Sequence, residues 1–341
     1  MRRGRVEIVT HESRLLADNP LGDPAEREVA VYLPPSYDDD TRRRFPTVLV
    51  LPGFTGTGLG LLNRGAWQTP LDRRMDALIA AGRAREAILV LPDCLTRYGG
   101  SQYVDSPAMG RYQSYLVDEV LPFVEARWRA IPAREARAVV GKSSGGYGAL
   151  TLAMTRPGLF AAAGSHAGDT AFLLSYGREF GKVQATLERR GGVRQFLAWF
   201  DAQATKPGSL IDVMNFLACG AAWSPNAEGP YGYGEGFSLP IHPRTGELLD
   251  EVWARWLERD PVRLAERPEV QAALRGMAAI FIDAGTGDEF SLQLGARQLV
   301  DRLTAAGIAT VHEEFDGGHM NTAYRYDRSL EVLTTALAPA A

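Results

Sequence analysis

The sequence predicts an α/β protein built on a mostly parallel central sheet with helices on both faces. Three observations lead there. Short, continuous apolar runs alternate with amphipathic helical stretches over most of the chain, and strands buried on both faces read as such runs. A Gly-x-Ser-x-Gly sequence, Gly141-Lys142-Ser143-Ser144-Gly145, stands between one of these runs and one of these helices. The 341 residues are 45% hydrophobic and 23% charged, an ordinary globular composition that suits one large domain or two small ones.

The elements follow in order. Val6 to Val9 and Glu28 to Leu33 alternate β-branched and polar residues, as strands do. Pro46 to Leu51 is a continuous apolar run that ends in Pro52-Gly53-Phe54-Thr55-Gly56. Leu71 to Ala81 carries an apolar stripe of Leu71, Met75, Leu78 and Ile79, which predicts a helix. Ala87 to Leu91 is the next buried strand. Tyr112 to Trp128 predicts an amphipathic helix bent at Pro122. Ala136 to Val140 leads into Ser143, Ala149 to Met154 leads out, and Leu159 to Gly164 is another short strand. From Thr170 to Met277 the rhythm stops, with helical pieces at Val193 to Phe200 and Leu248 to Leu257 and a glycine- and aromatic-rich stretch from Trp223 to Phe237. It resumes with the strand from Ala278 to Ile282, the helix from Ser291 to Ala306, the strand from Ala309 to Phe315 and the helix from Tyr324 to Leu337. The expected organisation is a core of residues 1–169 and 278–341, with residues 170–277 inserted as a cap or pocket wall.

Composition removes several function classes. A net charge of −4 suggests no polyanionic partner, so no nucleic acid is expected. The apolar runs are too short to span a bilayer, and charges break the N-terminal region where a signal peptide would need its apolar stretch. Cys94 and Cys219 are far apart and make neither a disulfide framework nor a metal spacing. The expectation is a cytoplasmic enzyme with no cofactor and no metal, and a homo-oligomer is compatible with it. Gly-Lys-Ser also closes a phosphate-binding loop, but that motif needs glycine where Ala136 stands.

Strand, sharp turn and helix around Ser143 describe a nucleophile elbow, in which Gly141 and Gly145 leave room for the turn. A serine hydroxyl needs a base, usually a histidine oriented by a carboxylate. On this fold the chain order is serine, acid, histidine. Of His11, His166, His242, His312 and His319, only the last three can follow such an acid. His319 lies in the glycine loop Asp316-Gly317-Gly318-His319 just after a predicted strand, where it can reach the sheet's C-terminal edge. The acid is expected after the preceding strand, where Asp283, Asp288 and Glu289 stand. Asp288 is favoured because the loop lets it reach the imidazole, although a helix N-cap would use the same residue. The oxyanion donors are expected to be the N–H groups of Ser144 and Phe54.

At this point the chain resembles the putative-esterase (esterase D-like) family. The resemblance rests on Tyr32-Leu33-Pro34-Pro35-Ser36-Tyr37, Leu51-Pro52-Gly53, Gly141 to Leu150, Gly285-Thr286-Gly287-Asp288 and Gly317-Gly318-His319. It implies an α/β-hydrolase fold, with Ser143 as nucleophile, Asp288 as acid, His319 as base, and Phe54 and Ser144 as oxyanion donors. The chain departs from the family at Lys142, where a histidine often stands, and in its longer insertion.

The expected activity is hydrolysis of a carboxylic ester or thioester, a small-molecule substrate, through an acyl-enzyme. An acyltransferase using the same acyl-enzyme is the alternative within enzymes, and a non-catalytic binding module is the alternative outside them. Trp223, Tyr231, Tyr233 and Phe237 could line an acyl pocket, or could pack the insertion onto the core. Tyr98, Gln102 and His166 follow strand ends and are expected at the mouth.

Overall fold

The computed structural model describes residues 2–227 and 235–339. Eight strands form the main sheet: β1 (Arg5–Glu12), β2 (Glu26–Leu33), β3 (Thr47–Leu51), β4 (Ile88–Pro92), β5 (Arg137–Lys142), β6 (Ala162–His166), β7 (Ala279–Gly285) and β8 (Val311–Phe315). Their spatial order is β1-β2-β4-β3-β5-β6-β7-β8. Only β2 runs against its neighbours, and every other adjacent pair is parallel. The apolar runs at β3 and β4 are buried along their whole length, as a central parallel strand requires.

Side chains alternate across the sheet with a period of two. Val48, Val50, Ala138 and Val140 face one side, where they pack with Leu71 and Leu78 of α1 (Leu71–Ala80) and with residues of the C-terminal helix. Leu49, Leu51 and Val139 face the other side, with Val124 of α2 (Leu121–Arg127) and Leu150 of α3 (Ser144–Thr155). Later helices are α4 (Ile211–Trp223), α5 (Asp250–Leu257), α6 (Leu292–Ala305) and α7 (Tyr326–Ala336). α7 supplies Leu330 and Leu333 to the first face.

The helix expected over Tyr112 to Trp128 is not continuous α-helix. A π-helical stretch, Tyr115–Val120, leads into α2. Pro122 has no N–H and its ring crowds the carbonyl four residues before it, so a widened turn upstream accommodates both.

Residues 170–277 form helices joined by irregular stretches and add no strand to the main sheet among the described residues. Their core is aromatic. Trp223 stacks on Phe172 at 4.4 Å and meets Tyr147 of α3 at 5.3 Å, and Trp256 packs on Trp223 at 5.0 Å. Buried Asp260 ties the two ends of this insertion together by accepting the N–H groups of Ala171, Phe172 and Val262 at 3.0, 2.8 and 3.0 Å. No helix among the described residues is long and apolar enough to cross a membrane.

Candidate active site

β5 ends at Lys142, α3 begins at Ser144, and Ser143 makes the turn alone. Its φ of 55° and ψ of −124° are costly for a residue with a side chain. Close packing holds it there. A Cβ on Gly141 would lie 2.2 Å from the Gly145 carbonyl oxygen, and one on Gly145 would lie 2.0 Å from that of Leu51. Ser143 N–H donates to the His166 carbonyl of the neighbouring strand at 2.8 Å. The turn therefore presents Ser143 at the C-terminal edge of the sheet, at the head of α3, whose first N–H groups have no intrahelical acceptor.

The loops after β7 and β8 are laced together. Thr286 N–H donates to the Phe315 carbonyl and Gly287 N–H to that of Gly317, each at 2.9 Å. The two chains pass so closely that a Cβ on Gly285 would lie 2.3 Å from the Gly317 oxygen. This brings Asp288 Oδ2 to 2.8 Å from His319 Nδ1, with both residues buried. The other oxygen of Asp288 accepts the Phe290 N–H at 2.9 Å, so the carboxylate is fixed at both ends. A carboxylate only accepts, so Nδ1 carries the proton and Nε2 is left as an acceptor. The Phe290 ring meets the imidazole edge-on at 4.9 Å. Glu289, the third acid considered, accepts the His319 backbone N–H at 2.6 Å, and that bond lowers its pKa.

The loop after β3 closes the turn from the opposite side. A Cβ on Gly53 would come within 3.3 Å of Ser143 Cβ, so glycine lets the loop approach. The Phe54 ring is seated against Gly99 and Gly100, and Tyr103 Oη holds the Pro52 carbonyl at 2.6 Å. The Phe54 N–H has no acceptor among the described residues.

Beside this turn opens a cleft of about 740 Å³, lined by parts of segments 52–74 and 321–326 and by Lys142. No residue of 170–277 belongs to its lining among the described residues. On the opposite side Asp169, in the loop after β6, accepts from Ser144 Oγ at 3.4 Å. Burial holds its pKa up, at about 6, against the pull of the Tyr176 and Ser144 hydroxyls.

Comparison with known proteins decides the family. The "Putative esterase" family model matches residues 24–331. The chain belongs to this family. A curated relative, Esterase Rv1288 of Mycobacterium tuberculosis (strain ATCC 25618 / H37Rv), is 25% identical over 268 residues, which are 74% of this chain and 46% of that protein. The chain thus spans about half the length of the curated relative it matches. Among solved structures, a ferulic acid esterase superposes with a TM-score of 0.63 at 20% identity, covering 99% of this chain and all (100%) of the other. An S-formylglutathione hydrolase from Agrobacterium tumefaciens gives 0.61 at 18%, covering 99% and 97%. These likenesses show that the fold is that of the α/β-hydrolases.

In this esterase-family chain several residues expected at the mouth are placed elsewhere. His166 is buried with both ring nitrogens engaged, Nδ1 with Asp283 at 2.7 Å and Nε2 with Ser329 at 2.8 Å, and cannot offer either to a substrate. It is the register partner of Asp283 on β7, so the two side chains share one face, over α7. Trp223 and Phe237 are likewise core residues, exposed by 2% and 0%, because the insertion packs its aromatics onto α3 and onto itself. Gln102 is buried, its amide donating to Asn215 Oδ1 at 3.1 Å. Buried Tyr98 meets Phe237 edge-on at 6.0 Å, and burial pushes its pKa up to about 12. Tyr231 and Tyr233 lie outside the described residues. Sequence reasoning missed Asp169, although a carboxylate three residues past a strand end, in Ala167-Gly168-Asp169, is a signal for a group at the sheet's C-terminal edge. It also missed that residues 57–74 would wall the cleft.

Proposed function

We propose that this chain is a serine esterase acting through an acyl-enzyme, with Ser143 as nucleophile, His319 as general base and Asp288 as the carboxylate that orients it. The 2.8 Å contact between Asp288 and His319 Nδ1 carries this reading, because it leaves Nε2 as the base at the same sheet edge as the strained Ser143 turn. Ser143 Oγ attacks the ester carbonyl while Nε2 takes its proton. The carbonyl oxygen becomes an anion, received by the N–H groups of Phe54 and Ser144 and favoured by the positive end of α3. Collapse breaks the ester bond, and Nε2 returns the proton to the departing alcohol or thiol. Water then repeats the sequence on the acyl-enzyme and releases the acid. Asp288 stays ionised throughout and stabilises the imidazolium.

The open cleft beside the turn favours hydrolysis over acyl transfer, since water reaches the acyl-enzyme from it. Residues 170–277 close the other side of the site rather than the cleft. Arg178 hydrogen-bonds the Glu289 carbonyl, next to Asp288, which supports this placement. The test is labelling by a fluorophosphonate probe. Wild type should label at one serine, and Ser143→Ala should not. An unlabelled wild type would favour a non-catalytic binding module, and labelling of Ser143→Ala would remove Ser143 as the nucleophile.

A further inference from the structure

The chain has only three lysines, and Lys142 is unlike the other two. Lys182 Nζ sits 2.7 Å from Asp212. Lys206 Nζ donates to the carbonyls of Phe200, Asp201 and Gln203 at 2.8, 2.9 and 3.0 Å. Lys142 has no carboxylate within 4.0 Å and no hydrogen-bond partner among the described residues. It is the last residue of β5, and the alternation along that strand puts its side chain on the face of Ala138 and Val140. That face packs against Leu71 and Tyr326, and both of these also line the cleft. The ammonium therefore belongs to the cleft's floor.

The charge balance of the cleft is one-sided. Its lining includes two cations, Lys142 and Arg74, and no aspartate or glutamate among the described residues. Arg74 is already committed to Asp327 at 3.0 and 3.2 Å and to the Thr69 carbonyl at 3.1 Å. Burial lowers the Lys142 pKa, and the acids whose charges oppose that are Asp288 and Glu289. Both are occupied, one by His319 Nδ1 and the other by the His319 N–H. A partly buried ammonium without a hydrogen-bonded counter-ion is unfavourable until an anion arrives. Around it the cleft offers flat apolar faces. Trp67 is fully exposed and Tyr324 is 44% exposed.

The cleft also has an identifiable side. Asn321 to Ala323 line it and follow His319, which hands its proton to the leaving group. We infer that Lys142 determines specificity, its ammonium receiving an anionic group, carboxylate or phosphate, carried on the alcohol or thiol half of the ester. This rests on the esterase reading above. The competing account is that Lys142 only offsets the charges of Asp288 and Glu289. That role would change turnover of charged and neutral esters alike.

The experiment compares kcat/KM for 4-carboxyphenyl acetate, 4-phosphonooxyphenyl acetate and the neutral 4-carbamoylphenyl acetate on wild type, Lys142→Met and Lys142→Arg. Taking the anion-to-amide ratio between variants cancels the intrinsic reactivity of each ester. Lys142→Met should lower that ratio by roughly tenfold or more, the usual weight of a charge-assisted hydrogen bond, and Lys142→Arg should keep most of it. The anion with the larger drop identifies which of the two the cleft is built for. Mono-4-nitrophenyl succinate against 4-nitrophenyl butyrate puts the charge on the acyl side, and their ratio should not move. An unchanged leaving-group ratio in Lys142→Met, or a change only on the acyl side, overturns the inference. If Lys142→Met does not fold, raising salt from about 20 to about 500 mM should lower the anion-to-amide ratio of wild type, and a salt-independent ratio counts against the inference. Direct binding separates the two readings. An inactive wild type that still binds 4-hydroxybenzoate more tightly than 4-hydroxybenzamide would sink the esterase and keep the anion site. An active wild type with no such preference would do the reverse.

Discussion

Two carboxylate–imidazole pairs lie at the C-terminal side of the same sheet; one is the pair proposed to serve Ser143, and the other bonds a serine directly. In one, Asp288 meets His319 Nδ1 at 2.8 Å. In the other, Asp283 meets His166 Nδ1 at 2.7 Å and Ser329 lies 2.8 Å from Nε2. By atom types the second is a serine–histidine–aspartate set in hydrogen-bond contact throughout. What separates them is access, charge and the state of the serine. Ser329 is fully buried inside α7, and its hydroxyl also faces the Tyr326 carbonyl at 3.4 Å. Asp283 is neutralised by Arg325 at 2.7 Å. Ser143 stands in a strained turn beside a cleft and beneath unpaired N–H groups. A triad's atoms therefore do not make a site, and an electrophile must be able to reach the serine while something waits to receive its oxyanion.

The largest expected difference is between the two serines. Ser143→Ala should lower kcat for 4-nitrophenyl acetate by about 10⁶-fold, leaving the residual rate of the oxyanion donors. Ser329→Ala should leave kcat within about twofold and instead reduce unfolding free energy by about 1–3 kcal/mol, because it strips a buried His166 nitrogen of its partner. Comparable kinetic losses from both would erase the distinction drawn here.

The two aspartates should divide the same way. Asp288→Asn should cost up to about 10⁴-fold in kcat, since the imidazole loses its orienting charge and correct tautomer. Asp283→Asn should act on stability, by roughly 1–3 kcal/mol, because it takes a buried acceptor from His166 Nδ1 and leaves half-buried Arg325 with Glu313 alone. Urea titration and kinetics on both variants read this directly. A crippled but stable Asp283→Asn would reassign the acid.

These pairs also show what was legible in the sequence. The loop beyond the predicted strand favoured Asp288 over Asp283 as the neighbour of His319, because loops reach where strands cannot, and the two side chains do meet. The strands were equally legible, since β3 and β4 are continuous apolar runs closed by proline. The role of His166 was not. Its partner Asp283 is 117 residues away and Ser329 is 163 away, and the contact comes from strand register and helix docking. The aromatics of 170–277 failed for a related reason. Trp223 and Phe237 have the composition of a pocket wall and of a core alike, and only packing decides between them.

Asp169 offers a smaller effect with a sign that can be worked out. Its folded pKa, about 6, is raised above the ordinary aspartate value of 3.8 by burial. The folded state thus holds this proton more tightly than the unfolded chain. The associated stability is present below the unfolded value and is lost as pH rises from about 4 to about 6. Asp169→Asn removes that loss. Its stability relative to wild type should rise between pH 4 and pH 7 by up to about 3 kcal/mol, two pKa units' worth. A stability difference that does not vary with pH would mean Asp169 titrates normally.

The smallest effect concerns access itself, the property that His166 lacks. If the exposed face of Trp67 receives the body of the leaving group, then Trp67→Ala should penalise bulky leaving groups and spare small ones. An aromatic face of this kind buries area worth about 25 cal/mol per Å², so removing contact with one fused ring of a naphthyl ester should cost roughly 1 kcal/mol, or about fivefold in kcat/KM. The measurement is the ratio of kcat/KM for 2-naphthyl acetate to that for phenyl acetate. That ratio should fall in Trp67→Ala and stay unchanged in Phe237→Ala, whose ring is buried away from the cleft and whose loss should appear as about 3–5 kcal/mol of stability instead. A naphthyl preference that survives Trp67→Ala and falls in Phe237→Ala would move the leaving-group wall into 170–277, the segment in which the sequence offered an acyl pocket.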